Sequence, residues 1–179
     1  MSLDALLAGR KAIHQGEVVW PVGLRLSVVV YPCTETPATD LVTSVRGVVF
    51  KGPKVVVVDD GVASHVMPGG RIEHGETIEA TLRRELLEEC GWTISNPRLF
   101  GLIHFRHVTP RPEGYRYPYP DFIQLLFVGE AEVYRRAALK RAGEIETGSR
   151  LTPISQALTA LGAEQQAILR AAMDARSRG

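Results

Sequence analysis

The stretch PGGRIEHGETIEATLRRELLEECGW, from Pro68 to Trp92, sets the tightest limits on how this chain can fold. A glycine-rich turn leads into a loop carrying Glu73 and Glu76, and Arg84, Glu85, Glu88 and Glu89 then follow in close order. The pattern predicts a helix with Thr77 as its N-cap and Gly91 as its C-terminal stop. On that helix Glu85, Glu88 and Glu89 stand at i, i+3 and i+4, so their carboxylates share one side. Like charges this close raise one another's pKa unless a cation sits among them. Most charge runs are solvated faces laced with Arg–Glu pairs. Here the helical wheel argues otherwise. At about 100° per residue, Ile78, Leu82 and Leu86 form an apolar stripe, and Glu85 and Glu89 fall on its edge. Acids that face the protein need a partner, and an oxygen-only nest of carboxylates suits a hard divalent ion such as Mg²⁺ or Mn²⁺. The Gly69-Gly70 pair permits positive φ and close backbone approach, so a carbonyl can turn toward such an ion.

Residues 70–92 resemble the Nudix box, G-x5-E-x7-R-E-U-x-E-E-x-G-U, where U is bulky and apolar. Gly70 opens the match, Glu76 follows, then Arg84-Glu85-Leu86, Glu88-Glu89, Gly91 and Trp92. The single departure is Trp92, aromatic where an aliphatic residue is usual. The surrounding strand order is similar to the family over roughly residues 40–160. The resemblance implies an α/β (α+β) architecture, the Nudix fold, with a mixed β-sheet sandwiched between α-helices. It implies hydrolysis of a pyrophosphate linkage in a nucleoside diphosphate joined to another moiety. One to three divalent ions would be held by Glu85, Glu88 and Glu89, with the Gly70 carbonyl completing the coordination. Glu85 is the expected base, with Glu144 second, because the family often places a further acid in a later loop, where Glu146 is also available. Glu76 and Arg84 resemble the pair that braces the loop against the helix. ADP-ribose and damaged nucleoside triphosphates are alternative substrates. Pro110 lies somewhat beyond the proline of the ADP-ribose branch, and Tyr115 beyond the tyrosine of dinucleoside-polyphosphate hydrolases. A non-catalytic nucleotide sensor or interaction module is the alternative function, though such domains usually lose the box acids that this chain keeps.

The rest of the chain supplies the frame. Its 179 residues suffice for one α/β domain with decorations. We divide it into an N-terminal extension (1–38), a core domain (39–162) and a C-terminal helix (163–179). Residues 3–14 are expected to form a short helix, with Gly16 and Pro21 breaking the pattern after it. Strands are expected at 24–31, 42–50, 55–59, 64–67, 98–108 and 122–132, and helices from 153 and from 164. Arg46 sits mid-strand with the parity of Val48 and Phe50; it either snorkels to an edge or enters a polar pocket, where its fork would match phosphate oxygens. Arg46 and Arg71 are the candidate substrate-binding residues. His104 and His107, three apart on a strand, face opposite sides and cannot jointly chelate one ion. The Tyr/Pro/Arg loop 110–120 suits either stacking on a nucleobase or contacts in a homodimer.

A net charge of +1 gives no reason to expect a nucleic-acid polymer or a membrane as partner. No apolar run approaches the ~20 residues of a membrane span. The first ten residues show no basic region followed by an apolar core, so no secretion signal is expected. Cys33 and Cys90 fit a reducing compartment, Cys90 as a small packed residue, and the cytoplasm is the expected location.

Overall fold

The computed structural model describes residues 3–20, 23–37, 40–59, 63–139 and 148–178. The elements run α1 (Leu3–Leu7), β1 (His14–Trp20), β2 (Leu24–Pro32), β3 (Val42–Lys51), β4 (Lys54–Asp59) and β5 (Ser64–His65). They continue through α2 (Ile78–Cys90), β6 (Trp92–His107), β7 (Asp121–Tyr134), β8 (Gly148–Pro153), α3 (Ile154–Ala160) and α4 (Ala163–Ser177). All eight strands join one sheet in the order β1-β2-β6-β7-β3-β4-β5, with β8 pairing β4. The central β3–β7 pair is parallel, and the others are antiparallel.

The sheet is mixed and covered by helices on both faces, as the resemblance implied. The reason is legible in β4. Its four consecutive valines are all buried, Val55 and Val57 in the core under α3 and α4, Val56 and Val58 in the core under α2. A strand with period two that is apolar throughout must be covered on both sides. Leu82 and Leu86 from α2 fill one layer; Ile168, Leu169 and Ala172 from α4 fill the other. Truncating Leu82 or Leu86 to alanine would cost about 2–5 kcal/mol on the usual scale for buried leucines. Gly47 lets α2 come close, since a β-carbon there would lie 3.0 Å from Leu86 Cδ1.

Two local differences from the sequence reading stand out. The expected helix over 3–14 stops at Leu7, and His14–Trp20 is a strand. Gly16, read as a breaker, sits within β1 opposite Val28. An antiparallel partner supplies the hydrogen bonds that propensity alone does not forecast. The N-terminal segment therefore adds two strands to the shared sheet, β2 lying directly on β6. Among the described residues no helix is long and apolar enough to cross a membrane.

How the sheet positions the Pro68–Trp92 stretch follows from a gap. β3 pairs β4 only at Phe50 and Lys51, so the first half of β3 is left open on that side. The chain from Pro68 to Ile72 takes the open edge. Gly47 N donates to Pro68 O (2.9 Å), Val45 N to Gly70 O (2.9 Å), and Ile72 N to Thr43 O (3.1 Å). These bonds satisfy strand groups that would otherwise be orphaned. α2 then starts at the predicted cap, where Thr77 Oγ1 accepts from Ala80 N at 3.1 Å. It ends at Gly91, whose φ of 75° is left-handed and whose N–H reaches Leu87 O.

The intervening loop is tied back by Glu76. Its carboxylate takes a bidentate grip from Arg84, at 2.7 Å from Nε and 2.8 Å from Nη2, and also accepts from Thr81 Oγ1 at 2.8 Å. These bonds, Arg84's foremost and Thr81's next, hold the Glu76 carboxyl at about 2, below its ordinary 4.5. A folded-state pKa below the unfolded one adds stability that is complete above the unfolded value and is lost as pH falls through the folded one. Between pH 4.5 and 2, wild-type protein should therefore lose unfolding free energy more steeply than Glu76→Gln. Denaturant melts at stepped pH check this, and parallel slopes would remove Glu76 as the brace.

Candidate functional site

Arg84 is the hub on the exposed side of α2. Besides Glu76, its Nη1 donates to Glu85 Oε1 (2.7 Å) and Glu88 Oε2 (3.3 Å), and its Nη2 to the Arg71 carbonyl (3.2 Å). Glu73 Oε1 lies 3.9 Å from Nη1. These hydrogen bonds, Glu76's foremost, raise the Arg84 pKa above its usual value, so it is permanently charged. The carboxylates of Glu76, Glu85 and Glu88 are partly buried, the Glu85 side chain most deeply at 13% exposure. Glu89 turns the other way, and its Oε2 accepts from Gly69 N at 2.7 Å.

The two glycines are required by this closeness. Gly69 has φ +146°, and a β-carbon there would stand 2.2 Å from Val45 O. A β-carbon on Gly70 would stand 2.4 Å from Glu85 Cδ. Only bare backbone fits between β3 and the carboxylates.

Arg46 links this cluster to a cavity. Its Nη1 donates to Gly69 O at 2.6 Å and its Nε to Gln124 Oε1 at 3.4 Å. Burial pulls its pKa down, while the charges of Glu89 and then Glu85 act in the opposite sense. Of the two alternatives left by the sequence, Arg46 thus takes the polar pocket and does not snorkel to an edge. The cavity beside it, about 110 Å³, is lined by Arg46, Arg71, Ser44, Gln124 and aromatic rings. Arg71 lies over the Tyr117 ring at 4.2 Å and bonds its hydroxyl.

The histidines face opposite sides, as expected. His104 Nε2 pairs with Asp121 Oδ1 at 2.7 Å, and His107 Nε2 with Tyr115 Oη at 2.9 Å. Burial lowers the His107 pKa and raises that of Tyr115, keeping both neutral near pH 7. Cys90 is packed, with Sγ bonded to Leu86 O at 2.9 Å and its thiol pushed up to about 12 by burial. Glu144 and Glu146 lie outside the described residues.

Among the described residues no three His, Cys, Asp or Glu side chains converge as a metal centre. Glu85 and Glu88 are turned onto Arg84, and Glu89 onto Gly69 N–H. The donor chemistry still fits a hard divalent cation. Glu76, Glu85, Glu88 and Glu89 gather near the guanidinium groups of Arg84 and Arg46, a cluster of acids at a half-buried place. Every donor is oxygen.

Among the cavity residues that sequence reading missed are Ser44, Gln124 and Trp20. Ser44 shares a strand face with Arg46, and two polar residues on the face that continues as Val48 and Phe50 are a signal. Gln124 interrupts the apolar run FIQLLFV. Trp20 carried no usable signal, since its strand was not expected.

The family model for the NUDIX domain matches residues 40–172. A pyrophosphohydrolase of Bacillus subtilis superimposes with a TM-score of 0.57 at 15% identity, over 91% of this chain and 96% of its own. A NUDIX hydrolase from Nitrosomonas europaea does so with a TM-score of 0.55 at 19% identity, over 74% and 88%. These likenesses concern the fold. In sequence, the oxidized purine nucleoside triphosphate hydrolase of Danio rerio is 48% identical over 40 residues. That alignment spans 22% of this chain and about a quarter (26%) of the relative's length. With its family-model match covering most of the chain and the box running from Gly70 through α2 to Trp92, the protein belongs to the Nudix family of hydrolases.

Proposed function

We propose that this chain hydrolyses a pyrophosphate linkage in a nucleoside diphosphate joined to another moiety, in a reaction dependent on Mg²⁺ or Mn²⁺. The observation that carries the reading is the cluster of half-buried carboxylates on α2, joined through Gly69 and Arg46 to a polar and aromatic cavity. A pyrophosphate carries several negative charges that repel an attacking water, so its hydrolysis needs cations at the phosphates and a base at the water. A bound divalent ion supplies positive charge to phosphate oxygens and makes water more acidic.

Each residue then has a task. Glu85, Glu88 and Glu89 hold the ion, and the Gly70 carbonyl, which gives one lone pair to Val45 N–H, keeps a second for it. Glu85 and Glu88 must release part of their contact with Arg84 to do so, which the bidentate Arg84–Glu76 grip allows without loosening the loop. Glu85, pressed against bare Gly70 backbone, is the group that takes the proton of the attacking water, with Glu144 as the second candidate. Arg46 and Arg71 offer guanidinium forks to phosphate oxygens at the cavity rim. The short similarity to a relative named for oxidized purine nucleoside triphosphates supports including such nucleotides among the substrates, beside ADP-ribose.

Glu88→Gln and Glu89→Gln should each lower kcat/KM by at least about 100-fold, the scale for removing one charge-stabilising group, with thermal unfolding little changed. Normal turnover by either variant would remove it from the ion site. Phosphate or nucleotide release, measured across a nucleotide panel with Mg²⁺, with Mn²⁺ and with chelator, should appear only with a metal. Silence on every compound despite measurable nucleotide binding would replace the hydrolase by the sensor reading.

A further inference from the structure

Arg71 is an exposed arginine that is nevertheless held at every joint. Its backbone is fixed twice, by a bridge to Ser44 of β3 and by its carbonyl, which accepts from Arg84 Nη2 at 3.2 Å. Its side chain is fixed by a distant part of the chain. The guanidinium lies over the Tyr117 ring, 4.2 Å from the centroid, and its Nη1 donates to the Tyr117 hydroxyl. Tyr117 in turn stands at the end of a row. Its ring meets Tyr115 edge-on at 5.5 Å, and Tyr115 meets His107 edge-on at 4.9 Å, with a 2.9 Å bond between Tyr115 Oη and His107 Nε2. Arg111 Nη2 donates to the Tyr115 carbonyl at 3.0 Å, and His107 N–H to Pro120 O at 2.9 Å, which closes the loop onto the end of β6. The row starts from a buried ring in the sheet and ends on a positive charge at the cavity.

A long arginine side chain in water gives up rotamer freedom when it binds an anion. A ring beneath the guanidinium removes much of that freedom beforehand, so less is lost on binding. The support also spares the donors. Stacking occupies a face of the planar group, whereas phosphate oxygens are met by N–H groups along its edge, and the Tyr117 hydroxyl engages the fork at Nη1 only. Arg71 stays exposed despite these contacts, so the ring steadies the charge without hiding it.

We infer that Tyr117 is a positioning residue, which acts through Arg71 by holding the edge of its guanidinium toward a phosphate group at the cavity. The loop 110–120 is the arm that carries the ring there, and the His107–Tyr115 bond is its anchor. The inference rests on the hydrolase reading for Arg71 as a phosphate partner and adds the residue that sets its geometry. It gives the loop a task other than the nucleobase stacking or homodimer contacts expected from its composition.

The test uses methylenediphosphonate, a pyrophosphate analogue that has no ring to stack and no P–O–P bridge to hydrolyse. Its binding to the full chain with Mg²⁺ is read by calorimetry. Arg71→Gln should weaken Kd at least about tenfold, the scale of a hydrogen bond to a charged group. Tyr117→Leu should weaken it about two- to fivefold, as loss of an exposed cation–π contact would, and Tyr117→Phe, which keeps the ring, should retain most of the affinity. In the Arg71→Gln background Tyr117→Leu should have no further effect, because the ring acts through the guanidinium. A second readout is the Nε–H NMR resonance of Arg71, assigned by its loss in Arg71→Gln. It should carry a ring-current displacement that Tyr117→Leu abolishes, and it should shift when methylenediphosphonate is added. Tyr117 is 37% exposed, so the variants leave the core intact. Tyr115→Phe, which cuts the anchor to His107, should weaken binding in the same sense and replaces Tyr117→Leu if that chain fails to fold. No binding to wild-type protein, unchanged or tighter binding in Tyr117→Leu, an equal loss in the Arg71→Gln background, or an Arg71 resonance indifferent to Tyr117 each overturns the assignment. Coupled losses of affinity in a protein that turns over no nucleotide would instead overturn the hydrolase reading and leave the positioning role standing.

Discussion

A single guanidinium arranges the acidic face of α2. Arg84 grips Glu76 with two nitrogens and touches Glu85 and Glu88 with the third, so one residue ties the loop to the helix and stands amid the box carboxylates. Exposed ion pairs contribute little because water competes for both partners. These are half-buried and hydrogen-bonded, and removing the arginine would leave several carboxylates facing one another with reduced solvation. The grip on Glu76 and the contacts to Glu85 and Glu88 use different nitrogens. That division lets the site exchange cationic partners while the loop stays anchored.

The backbone frame around this hub depends on a sheet that does not close. Because β3 and β4 meet only near their hairpin, the first half of β3 has an open edge, and the Pro68–Ile72 segment fills it. Glycines at 69 and 70 let that segment lie between β3 and the Glu85 and Glu89 carboxylates. On the far side of the same strand, Ser44 and Arg46 project from the open end, whereas Val48 and Phe50 continue the same face into the core. One strand thus carries the transition from packed interior to cavity. Its parallel partner β7 brings Gln124 opposite Ser44 in register.

Local regularities were the legible part. The α2 helix begins and ends where Thr77 and Gly91 said it would, since capping is decided by a few neighbouring atoms. The valine run from Val55 was expected as a strand and is one, and the opposite facing of His104 and His107 followed from strand period alone. β1 was illegible because a strand containing Gly16 and Glu17 acquires its conformation from pairing with β2, a contact that periodicity does not record. The roles of Trp20, Ser44 and Gln124 were hidden for a related reason. Ser44 and Gln124 mark polar positions on otherwise apolar strands, but that they line one cavity with Trp20 depends on which strands lie side by side.

By itself, the amino-acid order determined the Nudix box, the one-sided array of glutamates on its helix and the spans of the core strands. All of these depend on spacing along one element, where geometry is fixed by hydrogen bonds between near neighbours. Tertiary structure alone decided that Arg84 stands amid the box acids, that Arg46 joins them to a cavity, and that an N-terminal tryptophan forms part of its wall. Those facts depend on which distant strands lie side by side, and that outcome is set by packing the whole sheet at once.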